Sequence, residues 1–170
     1  MRPLTGVVLE VLALSAFLTL APFAPRGLPF ALYVVLAQLV ATYLVHCPAH
    51  YFVGSATGIG FRSIHFGRTT LTRVLPKRAA GIARLLPVLF LSTERSSLAR
   101  ASRRRAASMY ASGTVASCAS AVMIALVATW AELPVYSALA WGVAAAYILF
   151  DVVFSPRSGD LMRARAALAA

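Results

Sequence analysis

The chain has 170 residues, of which 60% are hydrophobic and only 12% are charged. An ordinary soluble domain carries roughly a quarter of its residues as charged side chains, so this composition excludes a typical water-soluble domain. The formal net charge of +11 at pH 7 does not indicate nucleic-acid binding, because the basic loops of a membrane protein explain it more readily. The composition predicts one all-α integral membrane domain over residues 1–170.

Four apolar stretches approach or exceed the roughly 20 residues that a helix needs to cross the hydrocarbon core. They lie near residues 5–23, 29–52, 106–130 and 134–154. A cleaved signal peptide is an alternative for the first stretch, because Arg2 precedes it. Glu10 interrupts that stretch, and Pro22 departs from the small-residue pattern before a cut at Ala24. We therefore expect about four transmembrane helices.

All three histidines fall within twenty positions, where the second apolar stretch ends. His46 and His50 are four residues apart, a spacing that puts two imidazoles on one helix face, where they can bind one metal ion. Pro48 predicts a kink or a helix restart with Cys47 as the cap, which would move His46 off the face that carries His50. His65 follows on a predicted strand, where a position at the surface or membrane interface is expected.

The segment from residue 55 to residue 105 is the only sizeable polar part of the chain. It contains eleven of the sixteen Lys and Arg residues, so the positive-inside rule predicts that this loop is cytoplasmic. With four crossings both chain termini lie on the same side, in agreement with Arg157, Arg163 and Arg165 after the last stretch. The expected location is a cell membrane, with both termini in the cytoplasm and the basic loop against anionic lipid headgroups.

Parts of this loop have predicted structure of their own. Residues 58–67 alternate apolar and polar side chains between glycines, which is typical of a short strand or β-hairpin. Residues 85–91 form an apolar run that is too short to span and either pairs as a strand or dips into the interface. Residues 92–105 are rich in Ser and Arg and are predicted to be a linker on the membrane surface. The third apolar stretch opens with a small-residue pattern that favours close helix packing, formed by Ala111, Ser112, Gly113, Ala116, Ser117 and Ser120.

Four motifs follow one another in the chain: His46-Cys-Pro-Ala-His50, Gly58-Ile-Gly-Phe-Arg-Ser-Ile, Ser112-Gly-Thr-Val-Ala-Ser117 and Ser155-Pro-Arg-Ser-Gly-Asp160. Their order and spacing resemble the site-2 protease family of intramembrane zinc metalloproteases, over roughly residues 40–163. In that family H-E-x-x-H on a membrane helix is followed by a Gly-Ile-x-Val-like strand, a Gly-Pro-x-x-Asn helix and an Asp-Gly pair. As in the family, the Gly that opens the strand stands eight residues after the second His.

The resemblance implies that His46 and His50 are zinc ligands and that Asp160 is the carboxylate ligand. Two His, one Asp and a water molecule make a plausible four-coordinate zinc site. The predicted topology puts all three at the cytoplasmic ends of their helices, at similar depth. The alternative for the histidines is a pair of interfacial imidazoles bonded to backbone or lipid, and for Asp160 it is a solvated carboxylate paired with Arg163.

The chain departs from the family pattern in four places. Cys47 replaces the general-base Glu, and the final pair is inverted, so that Gly159 precedes Asp160. Thr114 and Ser117 replace the Pro and Asn of the third helix. A thiol cannot take the proton of a water molecule and pass it to the leaving amine as a carboxylate does, so Cys47 is not expected to be competent. Three residues are candidates for supporting the metal ligands: Ser117, Asp151 and Glu10.

These features predict a site-2-protease-like membrane protein that has a zinc site but impaired or absent peptidase activity. Such a pseudoenzyme would bind or regulate membrane proteins, for example by capturing a transmembrane helix or by partnering an active membrane protease. One alternative is an active intramembrane zinc metallopeptidase with another proton shuttle, for which Glu10 is the nearest candidate. The other is a metal-free structural or accessory membrane subunit.

Overall fold

The computed structural model describes residues 2–19, 27–68, 87–131 and 133–169. Helices account for most of this part of the chain, together with one small sheet. The helices are α1 (Pro3–Leu18), α2 (Leu28–Leu44), α3 (His46–Ala56), α4 (Arg95–Arg100), α5 (Arg103–Trp130), α6 (Pro134–Ser158) and α7 (Asp160–Ala169), and the strands are β1 (Phe61–Arg68) and β2 (Pro87–Thr93). Pro22 and Ala24 of the signal-peptide alternative lie outside the described residues, as do four basic loop residues, Arg73, Lys77, Arg78 and Arg84.

Within the described ranges, three helical segments are long and apolar enough to cross a membrane: Leu28–Ala56, Arg103–Trp130 and Pro134–Arg157. They correspond to the predicted stretches at 29–52, 106–130 and 134–154. The first predicted stretch overlaps α1, which has 16 residues and is therefore about 24 Å long. The hydrocarbon core is about 30 Å thick, so a crossing by the first stretch stays a prediction.

The second of the four predicted stretches changes from α2 to α3 at Val45, and not at Cys47. Val45 keeps right-handed helical angles, with φ −83° and ψ −16°, and both its N–H and its carbonyl make helical hydrogen bonds of 3.0 Å. Pro48 falls in the first turn of α3, where a missing N–H costs no hydrogen bond. The predicted restart with Cys47 as cap is wrong, and His46 and His50 stay on one face.

The long helices α2, α5 and α6 contact one another through the buried side-chain amide of Gln38 and through small residues. Gln38 of α2 donates from Nε2 to the carbonyl of Ala121 in α5 at 2.9 Å and to that of Ala140 in α6 at 2.8 Å. All three residues have no exposed surface. Alanines at these contacts let the helix backbones approach closely. α1 contacts α2 through a stacked pair of rings, Phe17 and Tyr33, with centroids 5.4 Å apart.

The two strands pair antiparallel, with His65 opposite Phe90, which confirms the predicted β-hairpin-like element. β1 begins at Phe61 rather than at Gly58, because Gly58 has a φ of +83° and lies in the turn after α3. The predicted surface linker over 92–105 instead contains the end of β2, the short helix α4 and the start of α5. The sheet packs against α3. It also contacts the end of α2, where the Leu89 N–H donates to the Tyr43 hydroxyl at 3.1 Å.

Candidate metal centre

The three side chains predicted to be metal ligands meet at one point. His46 and His50 lie one turn apart on α3, and Asp160 is the first residue of α7. Oδ2 of Asp160 is 2.8 Å from Nε2 of His46 and 3.1 Å from Nε2 of His50, and the two Nε2 atoms are 3.2 Å apart. In the described part of the chain, this is the one group of three His, Cys, Asp or Glu side chains that could hold a metal ion.

The second ring nitrogen of His50 faces a backbone carbonyl. Nδ1 lies 2.6 Å from the carbonyl oxygen of Met109 in α5. A carbonyl oxygen can only accept a hydrogen bond, so Nδ1 carries the proton and Nε2 of the neutral ring carries the lone pair. Hydrogen bonds of this kind fix the tautomer and the orientation of metal-binding histidines.

The second ring nitrogen of His46 faces Ser117 of α5, one of the predicted supporting residues. The Ser117 hydroxyl donates its one hydrogen to the carbonyl of Thr42 at 2.7 Å. It is therefore left to accept a hydrogen bond from Nδ1–H of His46, which lies 3.1 Å away. The lone pair of His46 is thus also on Nε2, directed at the same point as that of His50.

Two nitrogen lone pairs and one carboxylate oxygen therefore face one another at separations of 2.8–3.2 Å. Such electron-rich atoms repel each other unless a proton or a metal cation lies between them. Zinc bonds of about 2.0–2.2 Å at tetrahedral angles set the ligand atoms about 3.3 Å apart. The observed triangle is close to this size, so the donor set fits a zinc ion with a fourth position left for another ligand.

Gly113 of α5 packs directly against both imidazoles. A Cβ atom at this position would overlap Nε2 of His50 and would lie 2.8 Å from Cε1 of His46. Only glycine lets α5 come this near to the ligand atoms. The small-residue pattern predicted close packing at Gly113, but the identity of its packing partner appears only in the tertiary structure.

Asp160 is positioned by the break between α6 and α7. Gly159 has extended angles, with φ −111° and ψ −154°, and after it the Leu161 N–H donates to the Ser155 hydroxyl at 3.2 Å. While Oδ2 of Asp160 faces the imidazoles, Oδ1 lies 3.7 Å from Nη1 of Arg163. The two interpretations of Asp160, as a metal ligand and as the partner of Arg163, are therefore compatible.

The charge state of Asp160 follows from its neighbours. Burial by itself raises the pKa of this carboxyl. When no metal is bound and the rings are protonated at Nε2, hydrogen bonds from His46 and His50 and the positive charges of the two rings outweigh burial. Together they hold the pKa of Asp160 well below its ordinary value. The carboxyl is therefore ionised, as a metal ligand must be.

Cys47 follows His46 on α3 and lines the same cavity as the three candidate ligands. The side chain is buried, and its thiol donates to the carbonyl of Leu89 in β2 at 3.6 Å. This contact ties α3 to the sheet. The hydrogen of this thiol is thus used in a contact with the backbone of the sheet.

Three other candidate residues lie away from the ligand triangle. Asp151 accepts from the Cys118 thiol at 3.8 Å and is hydrogen-bonded to Thr114. Glu10 is 5% exposed, and its carboxyl oxygens have no hydrogen-bond partner among the described residues. His65 is exposed and stacks on Phe90 of β2.

A cavity of about 210 Å³ adjoins the ligand triangle. Its described lining combines the three candidate ligands and Cys47 with Arg163 of α7 and with apolar side chains of the sheet and α5. The apolar group includes Phe61, Leu89, Leu91 and Met109. Glu10 is not among the described residues that line it.

No protein-family model, no curated protein and no solved structure matches this chain. The resemblance to site-2 proteases therefore stays a prediction from the order and spacing of the motifs.

Proposed function

We propose that this chain is a multi-pass membrane protein, similar to site-2 proteases, that binds one zinc ion through His46, His50 and Asp160. In this proposal the site binds or regulates membrane proteins and does not cleave them. The observation that carries the proposal is the direction of the lone pairs. Because Met109 and Ser117 accept from both Nδ1–H groups, both Nε2 atoms are left to share a cation with Oδ2 of Asp160.

The distribution of apolar side chains supports membrane insertion. Leu28, Leu32, Leu36 and Leu39 follow one face of α2 and are 73%, 56%, 53% and 48% exposed, whereas Gln38 on the same helix is fully buried. A soluble monomer rarely exposes a continuous apolar face of this kind. Lipid chains would cover this face in a bilayer, which is the first expected partner.

The basic residues support the proposed orientation. Arg103 at the start of α5 and Arg163 on α7 line the same surface depression, and Arg163 also lines the cavity of the candidate site. By the positive-inside rule this end of the bundle faces the cytoplasm, in contact with anionic headgroups. Both termini are cytoplasmic in this arrangement when the first stretch also crosses.

The residues that line the cavity support the proposal that the protein lacks peptidase activity. A bound zinc ion supplies Lewis acidity, which polarises a carbonyl group or a water molecule at the open position. Hydrolysis also needs a base that takes a proton from water and delivers it to the leaving amine. Asp160 is the one carboxylate among the described lining residues, and its Oδ2 faces the two imidazoles. The thiol of Cys47 points to Leu89.

A site that lacks the catalytic base can still bind a polypeptide segment through the metal and the apolar side chains of the cavity. The proposed role is therefore to hold a transmembrane segment of a partner protein or to assist an active membrane protease.

A working metallopeptidase is the second candidate, and the buried Glu10 is the observation that favours it. α1 packs against α3, and the carboxyl of Glu10 on α1 is buried and has no hydrogen-bond partner among the described residues. Since Glu10 does not line the cavity, α1 would have to move before this carboxyl could act as the base.

Metal analysis of the purified full-length protein tests the proposal. We expect close to one zinc per chain, and its loss in the double variant His46→Ala/His50→Ala. His65→Ala is the matched control, because this histidine lies outside the ligand triangle, and it should keep the metal. Unmodified protein without metal would leave the metal-free accessory subunit as the remaining interpretation.

A further inference from the structure

We infer that the cavity beside the metal centre binds a carboxylate at the end of an apolar chain, anchored by the metal and by the guanidinium of Arg163. This inference rests on the proposed zinc site, and it names the chemistry of the molecule that occupies the open coordination position.

The charge of the cavity favours an anion. A divalent ion and Arg163 bring three positive charges, against one negative charge from Asp160. The carboxylate that H-E-x-x-H would add is absent, because Cys47 stands in its place and its thiol is neutral while it donates to Leu89. Among the described lining residues there is no second acidic side chain. An anionic ligand compensates this excess positive charge, whereas a neutral peptide carbonyl does not.

Arg163 has hydrogen-bond donors to offer. Nη1 lies 3.7 Å from Oδ1 of Asp160, which is beyond the 2.7–3.2 Å of an ordinary N–H···O bond. The guanidinium has five N–H donors in a planar fork that matches a carboxylate. The side chain is 47% exposed, so it can turn toward a ligand. Arg163 and the three candidate ligands line the same cavity, and Asp160 faces the imidazoles with Oδ2 and Arg163 with Oδ1.

Most of the other residues that line the cavity are apolar. Phe61, Leu89 and Leu91 of the sheet and Met109 of α5 line it, together with the hydroxyl-bearing Thr93 and Tyr110. A chain of carbon atoms that contacts these side chains is removed from water, which stabilises the complex by about 25 cal/mol per Å² of buried apolar surface. The cavity therefore suits a fatty acid or the C-terminal residues of an apolar peptide, and the two share the same chemistry.

Full-length protein substituted with Co²⁺ in detergent gives a direct test, because the visible absorption of Co²⁺ changes when a ligand joins the metal. Octanoate should produce a saturable change. The variant Arg163→Gln should keep the metal and its ligand-free spectrum but bind octanoate about ten- to a hundredfold more weakly, as expected for a lost charged hydrogen bond. Arg165→Gln removes the same charge from an exposed position on α7 that does not line the cavity, and it should bind like the natural protein.

Binding of an acetylated apolar dipeptide and of its C-terminal amide distinguishes a fatty acid from a peptide C-terminus as the source of the carboxylate. Tighter binding of octanoate identifies a fatty acid as the ligand, and tighter binding of the free dipeptide acid identifies a peptide C-terminus. An amide that binds as well as the acid, or equal weakening by Arg163→Gln and Arg165→Gln, would overturn the inference. Metal-loaded protein that binds none of these probes would overturn it as well and leave the metal site intact. Protein that takes up no metal would remove the proposed function.

Discussion

The Ser117 hydroxyl lies 3.1 Å from Nδ1 of His46, although 71 positions separate the two residues along the chain. The hydrogen of this hydroxyl is used at the carbonyl of Thr42 in the helix that leads to His46. Ser117 therefore connects α5 to the backbone of α2 and, at the same time, fixes the tautomer of the first candidate ligand.

The first prediction concerns this contact. Ser117→Ala removes the acceptor of Nδ1–H, so His46 loses its fixed tautomer and orientation, and zinc affinity should fall about 10- to 100-fold. Ser120→Ala is the matched control, because the Ser120 hydroxyl bonds to a carbonyl of its own helix. Competition with a chelator of known affinity measures both variants. A Ser117→Ala variant with the natural affinity would show that this hydroxyl does not support the metal site.

The second prediction concerns the close approach of α5. In Gly113→Ala the new methyl group meets Nε2 of His50 and Cε1 of His46, so the imidazoles must turn away from the shared point. Zinc affinity should fall by at least tenfold. The free energy of unfolding should fall by about 1–3 kcal/mol, because the added methyl group overpacks the contact.

Gly142→Ala is the control for Gly113→Ala, since a Cβ atom there has nothing within 4 Å. It lies inside α6, where alanine is favoured over glycine by about 0.5–1 kcal/mol. Gly142→Ala should keep the natural zinc affinity. Its stability, measured by thermal unfolding, should be unchanged or increased. Equal zinc affinities in the two alanine variants would contradict the proposed position of the metal.

The third prediction is that the natural protein does not cleave membrane-helix substrates at a detectable rate. General acid–base catalysis is typically worth about 100- to 10,000-fold in rate, and Cys47 cannot supply it. Any gain in the rate of cleavage is expected in Cys47→Glu, because this variant has a carboxylate at position 47. One panel of helical substrates in liposomes compares the natural protein, Cys47→Glu and His46→Ala.

A specific result would contradict this prediction. Metal-dependent turnover by the natural protein that disappears in His46→Ala would show that another residue serves as the base. Loss of that turnover in Glu10→Gln would identify Glu10 as this residue.

The fourth prediction concerns orientation. Ser96 on α4 and Ala131 after α5 are exposed and lie near opposite ends of α5, so single cysteines at these positions report opposite sides of the membrane. In a Cys118→Ser background, Ser96→Cys should be shielded from a membrane-impermeant thiol reagent until the cells are lysed. Ala131→Cys should react in intact cells. The reverse pattern would overturn the positive-inside assignment.

The apolar helices and the histidine pair were predictable from the sequence because they depend on local properties. Hydropathy over about 20 residues is enough to find α5 and α6, and two histidines four residues apart need only one helix to share a face. Asp160 is 110 positions from His50, and no local pattern connects them. It was proposed from the order of motifs, and its approach to both rings is seen only in the structure.

The tertiary structure alone decided what surrounds the candidate ligands. The acceptor for His50 is a backbone carbonyl of Met109, a group that every residue has and that no sequence pattern distinguishes. The contact of Gly113 with the rings and the place of Arg163 in the cavity depend on how α5 and α7 pack against α3. The sequence by itself determined which residues could bind a metal. Packing between distant helices decided which atoms face one another, because hydrogen-bond direction and close approach are set by three-dimensional contacts and not by the neighbouring residues in the chain.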